Sequence, residues 1–113
     1  GEAQRIKLAK HLDDTNRKGV LYIFDEPTTG LHLDDVAKLL HCFRRLVENG
    51  NSVLVIEHNV HVMASADWII DMGPGAGDKG GMVVCTGTPE HVAKHKTSPT
   101  GAALKSLFAD YAS

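Results

Sequence analysis

The stretch Val20-Leu21-Tyr22-Ile23-Phe24-Asp25-Glu26-Pro27 decides the fold class of this chain. Five consecutive apolar side chains, most of them β-branched or aromatic, predict a short strand with both faces buried, which is typical of a parallel sheet covered by helices. Pro27 ends the strand because proline cannot donate to a sheet ladder. Asp25 and Glu26 are therefore predicted at the carboxyl end of a buried strand, where such sheets bind ligands.

The residues after this strand predict a helix and a second strand. Thr28-Thr29-Gly30 is expected to form a turn, and Asp34 or Asp35 to cap a helix that ends near Gly50. Residues 52–56 are again a short apolar run, which predicts a second buried strand. The core-facing side of the helix is expected to contain Val36, Leu39, Leu40, Phe43, Leu46 and Val47.

The same alternation continues towards the middle of the chain. A short helix is predicted over residues 59–64, and a third apolar run follows from Trp68 to Ile70. The order strand, helix, strand, helix, strand predicts right-handed crossovers. We therefore expect an α/β fold, with a mainly parallel sheet flanked by helices and one domain over residues 1–113.

The two ends of the chain predict further elements. A helix is expected over residues 2–11, and a glycine-rich turn over residues 73–81 is followed by a strand at 82–86. Thr88-Pro89-Glu90 predicts the N-cap and first positions of another helix. A last helix is expected over residues 102–111.

Composition excludes several classes of protein. The 12 basic and 14 acidic residues give a formal net charge of -2, so the whole chain lacks the charge asymmetry of a nucleic-acid-binding or membrane-surface protein. No apolar run approaches the roughly 20 residues of a membrane span. Two cysteines make no disulfide framework, and no signal-peptide pattern is present. A cytoplasmic protein is expected, and the absence of an initiator Met suggests a piece of a longer chain.

The ends of the two predicted strands carry the candidate chemistry. Asp25-Glu26 ends the first strand and Glu57-His58 ends the second, so parallel pairing would bring His58 close to the carboxylates. An Asp after an apolar strand is the Walker B arrangement, in which the carboxylate holds Mg²⁺ through water. The adjacent carboxylate could polarise the attacking water. The apolar run alone is equally compatible with acidic turn residues, and a strand-end His alone is more often structural.

Five ordered motifs carry a family resemblance. They are Asp25-Glu26-Pro27-Thr28-Thr29-Gly30-Leu31-His32, Val55-Ile56-Glu57-His58-Asn59, Gly1-Glu2-Ala3-Gln4-Arg5, Ala66-Asp67-Trp68-Ile69-Ile70-Asp71-Met72-Gly73-Pro74 and Gly87-Thr88-Pro89. Together they resemble the ABC ATPase family, specifically the second nucleotide-binding half of its UvrA branch, which serves bacterial nucleotide excision repair. The resemblance covers nearly the whole chain and implies the Walker B to C-terminal portion of a P-loop NTPase domain.

The resemblance implies a role for each matching residue. Asp25 would be the Walker B residue that holds Mg²⁺ through water, Glu26 the catalytic base, and His58 the switch histidine at the γ-phosphate of ATP. His32 would lie in the D-loop, where most ABC proteins have Asp. The Gly1-Glu2 end of the signature motif would face ATP held by the opposite nucleotide-binding domain.

The resemblance also implies cofactors and partners. ATP and Mg²⁺ would be used by the intact protein, and the opposite nucleotide-binding domain would come from the same or a second UvrA chain. Damaged DNA and the next repair subunit would bind elsewhere on the protein, and no membrane would be involved. However, the sequence contains no Gly-x-x-x-x-Gly-Lys-Ser/Thr and no paired Cys-x-x-Cys. We therefore expect this chain alone to be inactive in ATP hydrolysis.

Two alternatives to a UvrA-like ATPase fragment remain open from the sequence. The chain could be a non-catalytic structural or interaction module, because the phosphate-gripping loop is missing. It could also be part of a transporter-type ABC ATPase, which His32 and the loop over residues 73–81 disfavour.

Four other features are expected to have no role in chemistry. Residues 75–80 match Gly-x-Gly-x-x-Gly, but a strand follows where a dinucleotide site needs a helix. Cys85, His91 and His95 could be grouped as metal ligands, although the spacing is generic. Arg44-Arg45 and the lysines between Lys94 and Lys105 are interpreted as exposed charge.

Overall fold

The computed structural model describes residues 18–73 and 81–112. They fall into two compact units that divide between His58 and Asn59. The predicted helix over residues 2–11, Gly1 and Glu2, and the glycine motif at 75–80 lie outside the described residues. Within the described ranges, no helix is long and apolar enough to cross a membrane.

The first unit is a β-α-β arrangement. Strand β1 is Leu21–Asp25, helix α1 is Leu33–Glu48 and strand β2 is Ser52–Ile56. The two strands pair in parallel, with Leu21 opposite Ser52 and Asp25 opposite Ile56. The parallel sheet and helix confirm the α/β class expected from the alternating apolar runs.

Helix α1 packs on one face of the β1–β2 sheet. Its buried residues are Val36, Leu39, Cys42, Phe43 and Leu46, which recur at the spacing of one helical face. Phe24 of β1 and Phe43 of α1 have ring centroids 4.8 Å apart, and Val53 and Val55 of β2 pack against the same cluster. The predicted core-facing stripe is confirmed except at Val47, which is exposed.

The other face of this sheet is exposed in the part of the chain that the structure describes. Side chains on that face are exposed, at 58% for Leu21 and 60% for Ile23, with Leu54 and Ile56 nearly as exposed. The expectation of strands buried on both faces was therefore wrong for the described residues. The alternate residues are half-buried because α1 covers only their side.

The start of α1 also differs from the prediction. His32 is the N-cap, and within the described residues its side chain makes no capping hydrogen bond. Asp34 and Asp35 lie in the first turn instead, where their carboxylates interact favourably with the helix dipole. The boundary was misplaced because acidic residues favour both the cap and the first turn.

The second unit contains an antiparallel strand pair and three helices. Helix α2 is Val60–Ala64, β3 is Ile69–Met72, β4 is Val83–Gly87, α3 is Pro89–Ala93 and α4 is Pro99–Ala112. Strands β3 and β4 form a separate two-stranded sheet. The third apolar run therefore forms a strand, as expected, but pairs antiparallel with β4 rather than with the β1–β2 sheet.

Helix caps in the second unit follow the sequence closely. Asn59 caps α2 by accepting hydrogen bonds from the amides of His61 and Val62. Thr88 caps α3 through the His91 amide, with Pro89 at the first helical position as predicted. The core of this unit contains Ile69, Val92, Ala93 and Leu104.

Helix α4 begins three residues earlier than predicted. The hydroxyl of Ser98 accepts a hydrogen bond from the Gly101 amide at 2.9 Å and donates one to Asp71 Oδ2 at 2.5 Å. The Thr100 hydroxyl donates to Asp71 Oδ1 at 2.8 Å. A side chain at position 101 would clash with the Val92 carbonyl oxygen, so Gly101 lets α4 approach α3 closely.

Candidate functional site

Parallel pairing brings the carboxyl ends of β1 and β2 together. The last ladder pair is Asp25 and Ile56. The Glu26 amide then donates to the Ile56 carbonyl at 2.7 Å, one residue beyond β1. Glu26 and the Glu57-His58 pair consequently leave the sheet side by side, as the sequence predicted.

The side chains of Glu26 and His58 contact each other at this edge. Glu26 Oε1 lies 3.1 Å from His58 Nε2, within hydrogen-bonding distance. Both side chains face solvent, with relative exposures of 49% and 87%. Asp25 is exposed beside them. The structure thus brings the side chains of Glu26 and His58 together, with Asp25 next to Glu26 in the chain, and leaves all three exposed.

The backbone of Glu26 has an unusual conformation. Its φ of 48° lies in the left-handed region, and Glu26 is the only non-glycine among the described residues with a positive φ. Such a conformation costs about 1 kcal/mol or more for a residue with a Cβ atom. The amide and the hydroxyl of Thr29 both donate to the Glu26 carbonyl, at 3.3 and 3.1 Å. Strain held by local hydrogen bonds is frequent at functional sites.

Glu57 also belongs to this edge of the sheet, although no motif in the sequence indicated a role for it. Its Oε2 accepts hydrogen bonds from the Thr28 amide at 3.2 Å and the Thr28 hydroxyl at 2.6 Å. Its Oε1 accepts from the His58 amide at 3.0 Å. The parallel register provides the signal that could have found it, since it places the residue after β2 opposite the loop after β1.

The loop that follows connects the site to α1. The amide of Leu31 donates to the Thr28 carbonyl at 2.9 Å, which closes a turn directly before His32. His32 is exposed at the start of α1. Its assignment to the D-loop stays a prediction.

Asp25 has an exposed carboxylate at the edge where the sequence predicted a magnesium ion. Its exposed carboxylate and neighbouring Glu26 supply the hard oxygen donors that Mg²⁺ prefers, and a solvent-facing position suits binding through water. Among the described residues, no group of three or more His, Cys, Asp or Glu side chains forms a protein-only metal site. Cys85, His91 and His95 are included in that result.

The basic residues considered in the sequence are exposed, as interpreted. Arg44 and Arg45 lie on the outer side of α1, and Lys94, Lys96 and Lys105 are exposed in the second unit.

Comparisons with known proteins find relatives that share one name. No family model matches the chain. UvrABC system protein A of Rhizobium meliloti (strain 1021) is 60% identical over 108 residues, which are 96% of this chain and 11% of the relative. The protein of the same name from Aquifex aeolicus (strain VF5) is 57% identical over 105 residues, or 93% of this chain and 11% of the relative.

A solved structure agrees with the sequence relatives. The crystal structure of UvrA2 from Deinococcus radiodurans superposes with a TM-score of 0.81 at 48% identity, and the match covers 92% of this chain and 13% of that one. The chain therefore spans about one ninth of the length of the curated relatives. Neither comparison supports the module or transporter alternatives. Over the length it spans, the chain belongs to the UvrA family.

Proposed function

We propose that this chain is the Walker B to C-terminal part of an ATP-hydrolysing domain in a UvrA-type excision-repair protein. The observation that carries the proposal is the 3.1 Å contact between Glu26 and His58 at the carboxyl edge of a parallel sheet, beside Asp25. Ligands of such sheets bind at this edge. The family relationship to UvrABC system protein A supports ATP as that ligand.

The proposed reaction is hydrolysis of the bond between the β- and γ-phosphates of ATP. The oxygen of a water molecule attacks the γ-phosphorus, and one of its protons passes to the Glu26 carboxylate. The bond from the γ-phosphorus to the bridging oxygen breaks, and its electron pair stays on ADP. The Nε2–H group of His58, which faces Glu26 Oε1 in this structure, would turn to donate a hydrogen bond to the γ-phosphate as charge develops there.

Asp25 is proposed to hold Mg²⁺ through water. The ion, when bound, neutralises charge on the β- and γ-phosphates. Within this chain, Asp25 positions that charge and Glu26 orients the water. The close contact between Glu26 and His58 keeps the proton acceptor and the γ-phosphate ligand at the same edge.

Further residues are proposed to complete the site, of which Gly1 and Glu2 lie outside the described residues and His32 lies within them. Gly1 and Glu2, at the end of the signature motif, would face ATP bound by the opposite nucleotide-binding domain of the same or a second UvrA chain. His32 would contribute through the D-loop. Since this sequence has no phosphate-gripping Gly-x-x-x-x-Gly-Lys-Ser/Thr loop, the chain alone would not hydrolyse ATP.

The wider biological role is also a proposal. The chain spans 11% of relatives that are named as parts of the UvrABC system. We propose that residues 1–113 form one partial domain of a cytoplasmic protein. That protein would bind damaged DNA and pass it to the next repair subunit.

The proposal is tested by Glu26→Gln in a full-length protein that carries this chain. The substitution keeps the shape of the side chain and removes the proton acceptor, so ATP turnover should fall by about a hundredfold or more. Binding of Mg-ATP should remain. Glu48→Gln, an exposed change at the end of α1, is the matched control and should leave turnover unchanged. Turnover near normal in Glu26→Gln would refute the assignment of the base.

A further inference from the structure

We infer that Glu57 is a positioning residue of this site, which fixes the distance between Glu26 and His58 by holding the backbone on both sides of it. The inference rests on the proposed function, because the quantity that Glu57 is expected to control is the rate of ATP hydrolysis. Glu57 itself is not expected to contact the nucleotide.

The carboxylate of Glu57 joins the two segments that carry the site. Oε2 accepts from both the amide and the hydroxyl of Thr28, at 3.2 and 2.6 Å. Oε1 accepts from the amide of His58 at 3.0 Å. Thr28 follows Glu26 by two residues, and His58 follows Glu57 directly. One side chain therefore binds the loop after β1 and the backbone after β2 at the same time.

The contact with Thr28 matters because Glu26 is strained. With a φ of 48°, Glu26 can keep its conformation only while the residues around it are held in place. Its amide is fixed by the Ile56 carbonyl at 2.7 Å, on the strand side. On the loop side, buried Thr28 is held by Glu57. Loss of this anchor would let the Glu26 backbone relax and move its carboxylate away from His58.

The chemistry of this position requires a carboxylate. Three donor hydrogens, two from Thr28 and one from the His58 amide, point at two oxygens. An ionised glutamate accepts at both oxygens, whereas glutamine accepts at one and donates at the other. Glu57→Gln would therefore place an N–H group against at least one amide N–H. The half-buried setting of Glu57 makes such a mismatch costly.

The test is single-turnover hydrolysis of Mg-ATP by the full-length protein, with enzyme in excess. The first-order rate constant of bound ATP does not depend on how much of the preparation is inactive, so it separates positioning from loss of folded protein. We expect Glu57→Gln to lower this rate constant about tenfold to a hundredfold, because misplaced catalytic groups typically cost this much. The dissociation constant for Mg-ATP should change less than about twofold, since Glu57 acts through other residues.

If Glu57→Gln folds poorly, two Thr28 variants test the same contact from its other partner. Thr28→Val removes the hydroxyl but keeps the amide and the side-chain shape, so it should slow hydrolysis by less than Glu57→Gln does. Thr28→Ser retains the hydroxyl and should restore most of the rate. Equal rates for the Val and Ser variants would overturn the inference.

A double variant distinguishes positioning from a general structural defect. Because Glu57 is inferred to act through Glu26 as well as through His58, adding Glu57→Gln to Glu26→Gln should reduce the residual rate constant by a smaller factor than Glu57→Gln alone does. A full additional reduction would overturn the inference. If Glu26→Gln strongly lowers the rate constant and Glu57→Gln leaves it unchanged, the role of Glu57 is refuted while the proposed function stands. Normal hydrolysis by Glu26→Gln would refute the proposed function and the inference with it.

Discussion

Two carboxylates of the chain, Glu26 in the first unit and Asp71 in the second, have opposite environments. In the first unit Glu26 is about half exposed, its backbone is strained, and its Oε1 contacts the exposed imidazole of His58. In the second unit Asp71 is only 7% exposed, and each of its oxygens accepts a hydrogen bond from a hydroxyl, of Ser98 or of Thr100. A buried carboxylate with both oxygens occupied serves the fold, while an exposed one beside a histidine is available to a ligand.

Asp71 contributes to the fold of its unit, whereas Glu26 is exposed at the candidate site. Asp71 links β3 to the start of α4, because Ser98 also caps that helix through the Gly101 amide. Among the residues that the structure describes in its unit, Glu26 makes only its contact with His58 and the backbone hydrogen bonds that hold its loop. We therefore expect loss of the two carboxylates to affect stability with opposite signs.

The largest expected effect on stability is that of Asp71→Ala. The change leaves the Ser98 and Thr100 hydroxyls without their acceptor, and hydrogen bonds to charged groups contribute about 1.5–3 kcal/mol each. We expect local opening of α4 to become easier by about 3 kcal/mol. Amide hydrogen exchange over residues 98–112 should accelerate accordingly, as measured by mass spectrometry.

The control for Asp71→Ala lies on the surface of the same unit. Glu90→Ala removes an exposed carboxylate from the first turn of α3. It should change the free energy of local opening, as measured by amide exchange, by less than about 1 kcal/mol. Unchanged exchange over residues 98–112 in Asp71→Ala would show that the carboxylate is not the anchor of α4, and the contrast with Glu26 would fail.

A smaller effect of opposite sign is expected for Glu26→Gly. Glycine adopts a φ of 48° without steric penalty, so the change relieves strain at an exposed position. The β1–β2 pair should become more stable by up to about 1 kcal/mol while ATP hydrolysis is lost. Slower amide exchange over residues 21–25 and 52–56 would provide the measurement.

Glu48→Gly is the matched control for that prediction. Glu48 is exposed like Glu26 but ends a helix, where glycine is less favourable than other residues by up to about 1 kcal/mol. The control should destabilise α1, and Glu26→Gly should not destabilise its own segment. Faster exchange in both variants would mean that Glu26 is unstrained and contributes to the fold.

Local sequence patterns were sufficient to predict the first unit. The apolar runs at residues 20–24 and 52–56, separated by one helical stripe, specify a β-α-β unit and bring Glu26 and His58 to the same edge. Such patterns indicate which segments form strands, but they do not indicate which strands pair with each other. The run from Trp68 to Ile70 therefore indicated a strand without indicating its antiparallel partner.

Side-chain hydrogen bonds between distant residues were the part that the sequence could not provide. Glu57 lies 29 positions from Thr28, and Ser98 lies 27 positions from Asp71. Neither pairing follows from periodicity or from capping preferences. Each depends on strand register or helix placement, which fixes which polar groups meet. The prediction that both faces of β1 and β2 are buried was wrong for a different reason. Apolar side chains indicate that a face favours burial, but they do not indicate whether the described residues pack against it.

A structure of the full-length protein bound to Mg²⁺ and a non-hydrolysable ATP analogue tests the central claim most directly. We predict that the terminal phosphate lies about 3 Å from His58 Nε2, with the Glu26 carboxylate facing the position of the attacking water and Asp25 in the water shell of the magnesium ion. A terminal phosphate more than about 6 Å from both His58 and Glu26, beyond the reach of one bridging water, would contradict it.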